Sequence, residues 1–151
     1  KWPIMTRPIW YYSGVIDDTV REGISSFGNP LVWWLGIPAF LYILYLAVRK
    51  KDRHAAFFTV GYLAQYLPWF FVSRLTFIYH YFPSVPFIIL CTGLCLDKLH
   101  DKLPKAALIL GGILLLLALV LFIGFFPYAS GWSVPQAWLN MMRWFPGWLY
   151  Y

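Results

Sequence analysis

Four long apolar stretches dominate this sequence and limit what it can fold into. They cover residues 31–48, 55–72, 82–96 and 106–127. A helix needs about 20 such residues to cross the hydrocarbon of a bilayer. Because 61% of the residues are hydrophobic and only 12% are charged, the chain also lies outside the composition of water-soluble domains. We therefore expect an all-α integral membrane protein with four transmembrane helices.

The positive charge is concentrated in two loops, one between the first and second stretches and one between the third and fourth. Seven of the twelve basic residues lie there, namely Arg49, Lys50, Lys51, Arg53, Lys98, Lys102 and Lys105. Loops rich in lysine and arginine stay in the cytoplasm and lie beside anionic headgroups. Both termini are therefore expected on the outer face, and membrane lipids rather than nucleic acid are the expected partners of the charge.

Composition divides the chain into three segments. Residues 1–30 carry scattered proline and glycine, which predict an outer loop segment with at most one short helix. Residues 31–127 form the transmembrane module, and residues 128–151 form an aromatic tail at the outer interface. In this tail, Ser133 and Gln136 fit a capping box for a short amphipathic helix. Because residue 1 is lysine and no signal peptide is recognisable before residue 31, we expect the chain to be part of a longer polypeptide.

Proline occurs on the same side of three of the four apolar stretches. Pro38, Pro68, Pro83 and Pro86 all fall in the halves expected to lie near the outer face. Proline removes a backbone donor and bends or ends a helix, so these helices are expected to separate there and open an outward-facing cavity. The fourth stretch lacks a polar face and is expected to contact lipid.

One face of the second stretch is polar and aromatic. Tyr62, Gln65, Tyr66 and Trp69 follow the spacing of a single helix face, which predicts that they line a cavity. The alternative is ordinary helix packing supported by one glutamine hydrogen bond. The sequence leaves both interpretations open.

A second group of candidate residues lies between the second and third stretches. Arg74, Tyr79, His80 and Tyr81 occur where the chain is expected to reach the outer interface. An arginine fork matches the oxygens of a phosphate, so this segment is a candidate site for a lipid phosphate. A regular helix would point His80 away from Arg74, so a joint site requires a turn. The alternative is an arginine that extends to the headgroups beside an interfacial aromatic belt.

The remaining chemically capable residues do not form a recognisable catalytic or metal-binding motif. His80 has no second ligand at a useful spacing, and Cys91 and Cys95 fit a role in helix packing. Asp17, Asp18 and Glu22 are the only carboxylates expected outside; one of them could act as a general base, but a solvated turn is the simpler interpretation. No metal or cofactor is expected.

Four segments carry a resemblance to a known family. They are WPIMTRPIWYYSG at residues 2–14, ISSFGNPLVWW at 24–34, GYLAQYLPWF at 61–70 and SRLTFIYHYFPSVPF at 73–87. In content and order they resemble the carboxy-terminal four-helix region of the protein O-mannosyltransferases, in particular the bacterial branch. From residue 96 onward the similarity is limited to hydropathy and to the tryptophans near the end.

The resemblance implies an eleven-span glycosyltransferase of the GT-C class in the bacterial plasma membrane. Such an enzyme transfers mannose from a polyprenyl-phosphate donor to serine or threonine hydroxyls of secreted proteins. The family's catalytic carboxylates lie in an amino-terminal outer loop, so this chain is expected to contain none of them and to work with the remainder of the same enzyme.

The resemblance also assigns roles to individual residues. It assigns donor binding to Arg74, His80 and Tyr81, with Tyr79 where eukaryotic members often have a second histidine. It places Arg7, Trp10 and Tyr11 at the outer mouth of the cavity. In the motif at residues 28–30, asparagine and proline are expected to close a turn into the first helix.

Two other functions compete with a transferase module. A small non-catalytic membrane subunit or scaffold of a larger complex would also explain the apolar fourth stretch. Part of a transporter would explain kinked helices with polar faces, but its spans would be expected to contain an acidic residue.

Overall fold

The computed structural model describes residues 3–5, 8–73, 76–146 and 148. The helices are α1 (Pro30–Arg49), α2 (Arg53–Tyr66), α3 (Val85–His100), α4 (Pro104–Ser130) and α5 (Gln136–Met142). Two 3₁₀ helices, Leu67–Phe71 and Ile78–Ser84, lie between α2 and α3. In the described part of the chain, three helical segments are long and apolar enough to cross a membrane: Pro30–Arg49, Ile78–His100 and Pro104–Ser130.

Local sequence explains where the long helices begin and end. The side-chain oxygen of Asn29 accepts hydrogen bonds from the amides of Leu31 and Val32 and caps α1, satisfying donors that a helix start leaves free. Asp52 caps α2 through the amide of Ala55. α4 ends at Ser130 and is capped by Gly131, whose φ of 73° is the left-handed conformation that glycine adopts most readily.

A three-stranded antiparallel sheet replaces the loop expected for residues 1–30. Strands β1 (Ile9–Val15) and β2 (Val20–Ser26) form a hairpin, and β3 (Val134–Pro135) pairs with the other edge of β2. The expectation of a loop with at most one short helix here was wrong, and the sheet adds a β element to a chain that is otherwise mostly helical. Consecutive aromatic and β-branched residues favour strands, and a turn closed between Asp17 and Val20 joins β1 to β2. Scattered proline and glycine obscured this signal.

The helix bundle packs closely at two glycines. A Cβ at Gly36 on α1 would collide with Ile88 of α3, and a Cβ at Gly61 on α2 would collide with the ring of Phe87. The absence of a side chain therefore lets α1 and α2 approach α3. α4 is different, because most of its side chains face away from the rest of the chain.

The hairpin and the carboxy-terminal tail meet at one end of the bundle. The indole Nε1 of Trp148 donates a hydrogen bond of 2.6 Å to the carbonyl of Met5, in a buried position. The amide of Gln136 donates to the carbonyl of Thr19 at 2.9 Å. At the opposite end, Lys98 Nζ lies 3.0 Å from Asp52 Oδ2. The two basic loops are therefore joined at the end away from the sheet.

One helix end agrees with the sequence expectations and one helix start does not. α2 ends at Tyr66, because Pro68 cannot donate to a continuing α-helix. α5 exists, but Pro135 precedes it and no side chain caps it, so the capping box expected from Ser133 and Gln136 was wrong. Leu139 is the residue of α5 that is buried.

Candidate functional site

The 3₁₀ helix Ile78–Ser84 sends three neighbouring candidate residues in different directions. A 3₁₀ helix turns once every three residues, so Tyr79, His80 and Tyr81 cannot share one face. Tyr79 is 44% exposed, whereas Tyr81 is completely buried. The structure therefore separates the buried Tyr81 from the exposed Tyr79.

His80 lies at the centre of a group that we call the outer aromatic cluster, formed by Trp69, Phe77, Tyr79 and His80. The ring centroid of His80 is 4.2 Å from that of Trp69 and 4.3 Å from that of Tyr79. The amide of Phe77 donates to His80 Nδ1 at 3.0 Å. Nδ1 also lies 3.0 Å from the carbonyl oxygen of Phe77, so whether it accepts or donates depends on the tautomer of the ring. The start of the 3₁₀ helix thus fixes the orientation of the ring.

Tyr81 belongs to an interior group that we call the tyrosine core, formed by Trp33, Tyr62, Tyr66 and Tyr81. The hydroxyl oxygens of Tyr62 and Tyr81 are 3.1 Å apart and buried. The ring of Tyr81 lies 4.9 Å from that of Trp33 and 5.5 Å from that of Tyr66. These contacts join α1, α2 and the 3₁₀ helix that carries His80, so the tyrosine core supports the outer aromatic cluster from inside.

The stripe predicted on the second span is divided between these two groups. Tyr62 and Tyr66 join the tyrosine core, Trp69 joins the outer aromatic cluster through His80, and Gln65 is exposed. Two members of the stripe are therefore packed inside and two lie nearer the surface, so the stripe does not act as a single face.

The other predicted site residues lie on β1 or outside the described residues. Trp10 and Tyr11 are on β1 with 54% and 58% of their surface exposed. Arg7 and Arg74 lie outside the described residues.

Sequence reasoning missed one contact that holds the elements around the site together. Besides capping α1, Asn29 donates from Nδ2 to the carbonyl of Ala118 on α4 at 2.8 Å. The motif at residues 28–30 predicted a turn, but no local pattern shows a partner 89 residues away in the chain. Asn29 therefore fixes both the start of α1 and its position against α4.

Three helices enclose an apolar groove that shares no residue with the outer aromatic cluster. Its volume is about 280 Å³. It is lined by Leu31, Val32, Leu35, Ile89, Thr92, Gly93, Leu96, Gly111, Leu114, Leu115 and Ala118 of α1, α3 and α4. The lining has almost no polar surface, so the groove suits a hydrocarbon chain rather than a sugar.

Two side chains outside the helices have pKa values that are shifted by their immediate neighbours. The hydrogen bond that Tyr12 donates to Glu22 Oε1 at 2.8 Å raises the pKa of the tyrosine. The amide of Ala55 and the ammonium of Lys98 lower the pKa of Asp52. Among the described residues, no three histidine, cysteine, aspartate or glutamate side chains are grouped so that they could hold a metal ion.

Long apolar helices, joined at one end by basic loops and carrying a sheet and an aromatic histidine cluster at the other, define an integral membrane module. Residues 1–148 match the family described as the C-terminal four TMM region of protein-O-mannosyltransferase. The chain belongs to this family, which confirms the resemblance found in its sequence.

Similar proteins include bacterial and yeast mannosyltransferases. The chain is 28% identical to a polyprenol-phosphate-mannose–protein mannosyltransferase of Corynebacterium glutamicum, covering 97% of the chain and 31% of that protein. It is 29% identical to the Mycobacterium tuberculosis protein of the same name, with the same coverage. A dolichyl-phosphate-mannose–protein mannosyltransferase of Saccharomyces cerevisiae is 28% identical, over 99% of the chain and 22% of the yeast protein.

A solved structure has the same fold. The chain is similar, with a TM-score of 0.75 and 25% identity, to a chain in the structure of the S. cerevisiae protein O-mannosyltransferase Pmt1-Pmt2 complex bound to the sugar donor. The match covers 99% of this chain and 23% of the yeast chain. This chain spans about a third or less of the length of the relatives it matches.

Proposed function

We propose that this chain is the distal membrane module of an enzyme that transfers mannose from a polyprenyl-phosphate donor to serine or threonine hydroxyls of secreted proteins. The observation that carries the proposal is the family match over residues 1–148. In this proposal the remainder of the polypeptide supplies the catalytic carboxylates, and the present chain helps to form the donor cavity in a bacterial plasma membrane.

We propose that α2 and the 3₁₀ helix Leu67–Phe71 together form a fourth membrane crossing. The 14 residues of α2 rise about 21 Å, and the five residues of the 3₁₀ helix add about 10 Å. The combined length of about 31 Å equals the hydrocarbon thickness of about 30 Å.

The contact between the two ends of the chain supports the same topology. Met5 and Trp148 are in contact, so they lie on the same side of the membrane. The chain between them must therefore cross the bilayer an even number of times. Four crossings, with the basic loops in the cytoplasm, place the sheet, the outer aromatic cluster and both termini on the outer face.

We assign the donor phosphate to the outer aromatic cluster together with Arg74, which lies three residues before Phe77 in the chain. The imidazole of His80 is oriented through Nδ1 by the backbone of Phe77, and a histidine N–H can donate to a phosphate oxygen. The ring of Tyr79 stacks on the imidazole, and the ring of Trp69 meets it in a T-shaped arrangement. Tyr81, completely buried, is given a positioning role, since its hydroxyl pairs with Tyr62.

Transfer from a radiolabelled lipid donor by the full-length enzyme tests this assignment. Replacing one charge-assisted hydrogen bond to a phosphate costs about 1.5–3 kcal/mol, or about 10- to 100-fold in affinity. We therefore expect Arg74→Ala and His80→Ala each to raise the KM for polyprenyl-phosphate mannose by at least about tenfold.

Matched controls separate a local effect from a general one. Arg143→Ala removes an exposed arginine of the tail, and His100→Ala removes an exposed histidine at the other end of the bundle. Both should leave the donor KM within about twofold of the wild type. Equal effects in the site and control variants would remove the outer aromatic cluster and Arg74 from the donor site.

A further inference from the structure

β1 is an edge strand. The order of the sheet is β1-β2-β3, so β2 is paired on both sides and β1 on one. Within the described part of the chain, the backbone groups of residues 9–15 form ladder bonds with β2 and no further backbone partner is found for them. An edge of this kind presents a row of amide and carbonyl groups that another extended chain can join.

The sequence of β1 does little to prevent another strand from pairing with this edge. The strand IWYYSGV contains neither a charged residue nor a proline, which are the usual means of blocking an edge. Trp10, Tyr11 and Val15 are 54%, 58% and 63% exposed. One irregularity between Trp10 and Tyr12 interrupts the pairing, and residues 12–15 continue beyond it in regular register. Such an edge is expected to be covered in the working protein.

The chemistry of the edge specifies an extended polypeptide as its occupant. Only another backbone repeats amide and carbonyl groups at the spacing of a strand, so a lipid chain or a free sugar does not match it. The aromatic side chains of Trp10, Tyr11 and Tyr12 add contact surface beside this row. Added strands obtain affinity from such backbone bonds and specificity from alternate side chains.

The position of β1 indicates which polypeptide this is. The segment before β1 contacts the start of α1, since Trp34 Nε1 donates to the carbonyl of Ile4 at 3.2 Å. One residue earlier, Trp33 packs on Tyr81, next to His80 in the chain. The edge is thus at the same end of the bundle as the outer aromatic cluster.

We propose that the β1 edge binds the acceptor polypeptide as an added strand. The inference rests on the proposed transfer of mannose to proteins and deepens it. Bound in this way, the acceptor is held extended over residues 12–15, and alternate side chains point to opposite faces. A hydroxyl on one face is presented toward the donor, and its neighbours two residues away share that face.

Photocrosslinking in the full-length enzyme tests the occupant directly. Tyr11 is replaced by benzoylphenylalanine, an aromatic residue that the exposed position accommodates, and a serine- and threonine-containing peptide acceptor is added. We expect a crosslink to the peptide that unlabelled peptide competes away. The same replacement at Trp132, which is 66% exposed in the tail, should not crosslink.

Two lysine variants, compared by their kinetics, test the edge without a crosslinker. Val15→Lys places a charge on the edge, whereas Ile16→Lys places one on the adjacent turn residue, which is 57% exposed. We expect Val15→Lys to raise the acceptor KM about fivefold, equivalent to about 1 kcal/mol, with the donor KM unchanged. Ile16→Lys should change either KM by less than about twofold.

The outcomes separate this proposal from the function on which it rests. If the wild-type enzyme does not transfer mannose from the lipid donor to the peptide, both proposals fail. If transfer occurs but Tyr11 crosslinks to the enzyme's own chain, to a second copy, or to nothing, the edge proposal alone is overturned. Equal acceptor KM values for Val15→Lys and Ile16→Lys overturn it as well.

Discussion

Asn29 is expected to contribute more to stability than a residue in a loop normally does. Its Oδ1 caps α1 through the amides of Leu31 and Val32 at 3.1 and 3.4 Å, and its Nδ2 donates to the carbonyl of Ala118 on α4. A single side chain thus satisfies the start of one helix and holds a second helix against it. Asn29→Ala removes both contacts.

The two contributions can be estimated separately. Loss of a helix cap costs about 1 kcal/mol. Hydrogen bonds between helices in a membrane average about 0.6 kcal/mol and reach about 1.7 kcal/mol. The contact with Ala118 is short, at 2.8 Å, and partly buried, which favours the upper part of that range. We expect Asn29→Ala to reduce the free energy of unfolding by about 2 kcal/mol.

Asn29→Ser separates the cap from the link between helices. Serine caps a helix about as well as asparagine but lacks the amide donor that reaches α4, so it should lose only about 1 kcal/mol. The assay is unfolding in mixed micelles of increasing dodecyl sulfate content, followed by tryptophan fluorescence. Asn140→Ala, which removes an exposed asparagine whose Oδ1 accepts from Gln136, should stay within about 0.5 kcal/mol.

Two outcomes would refute this reasoning. If Asn29→Ser were as stable as the wild type, the hydrogen bond to Ala118 would contribute nothing. If Asn29→Ser and Asn29→Ala lost the same amount, the cap on α1 would have no measurable value.

Two further predictions concern packing and pH. Gly61→Ala should lower the free energy of unfolding by about 1–3 kcal/mol, because the added Cβ would collide with Phe87. Gly93→Ala should not lower it, since a Cβ there meets nothing within 4 Å. Equal thermal unfolding temperatures for the two variants would contradict this prediction. The amide of Ala55 and the ammonium of Lys98 lower the pKa of Asp52 in the folded protein. The ionised carboxylate therefore stabilises the fold at any pH above the ordinary aspartate pKa of about 3.9. This stabilisation is lost as the pH falls through the lower pKa of the folded state. Asp52→Asn should flatten that part of the stability profile measured by acid titration, and an unchanged profile would show that the carboxylate has no role there.

The sequence predicted the long helices well because their signal is local. About 20 consecutive apolar residues identify a crossing helix wherever they occur, and α1 and α4 begin within two residues of their predicted starts. The second stretch was predicted to bend at Pro68, and there the chain changes from the α-helix α2 to a 3₁₀ helix.

The sheet and the division of the site were not predictable by the same means. β2 is paired on both edges, and β3 comes from the far end of the chain. The separation of Tyr81 from His80 depends on a 3₁₀ turn, which sequence periodicity does not distinguish from a helix. Local spacing therefore identified the segment of the candidate site but not the direction of its side chains.

The proposed donor and acceptor sites both require the sheet, the tail and the outer aromatic cluster to lie on the outer face. Single cysteines at Asp18, Lys50, Lys102 and Ser133, in a background whose native cysteines are replaced, can be labelled in intact cells with a membrane-impermeant maleimide. We predict labelling at positions 18 and 133, and labelling at 50 and 102 only after the cells are permeabilised. Labelling of 50 and 102 in intact cells, or of 18 and 133 on opposite faces, would contradict the account.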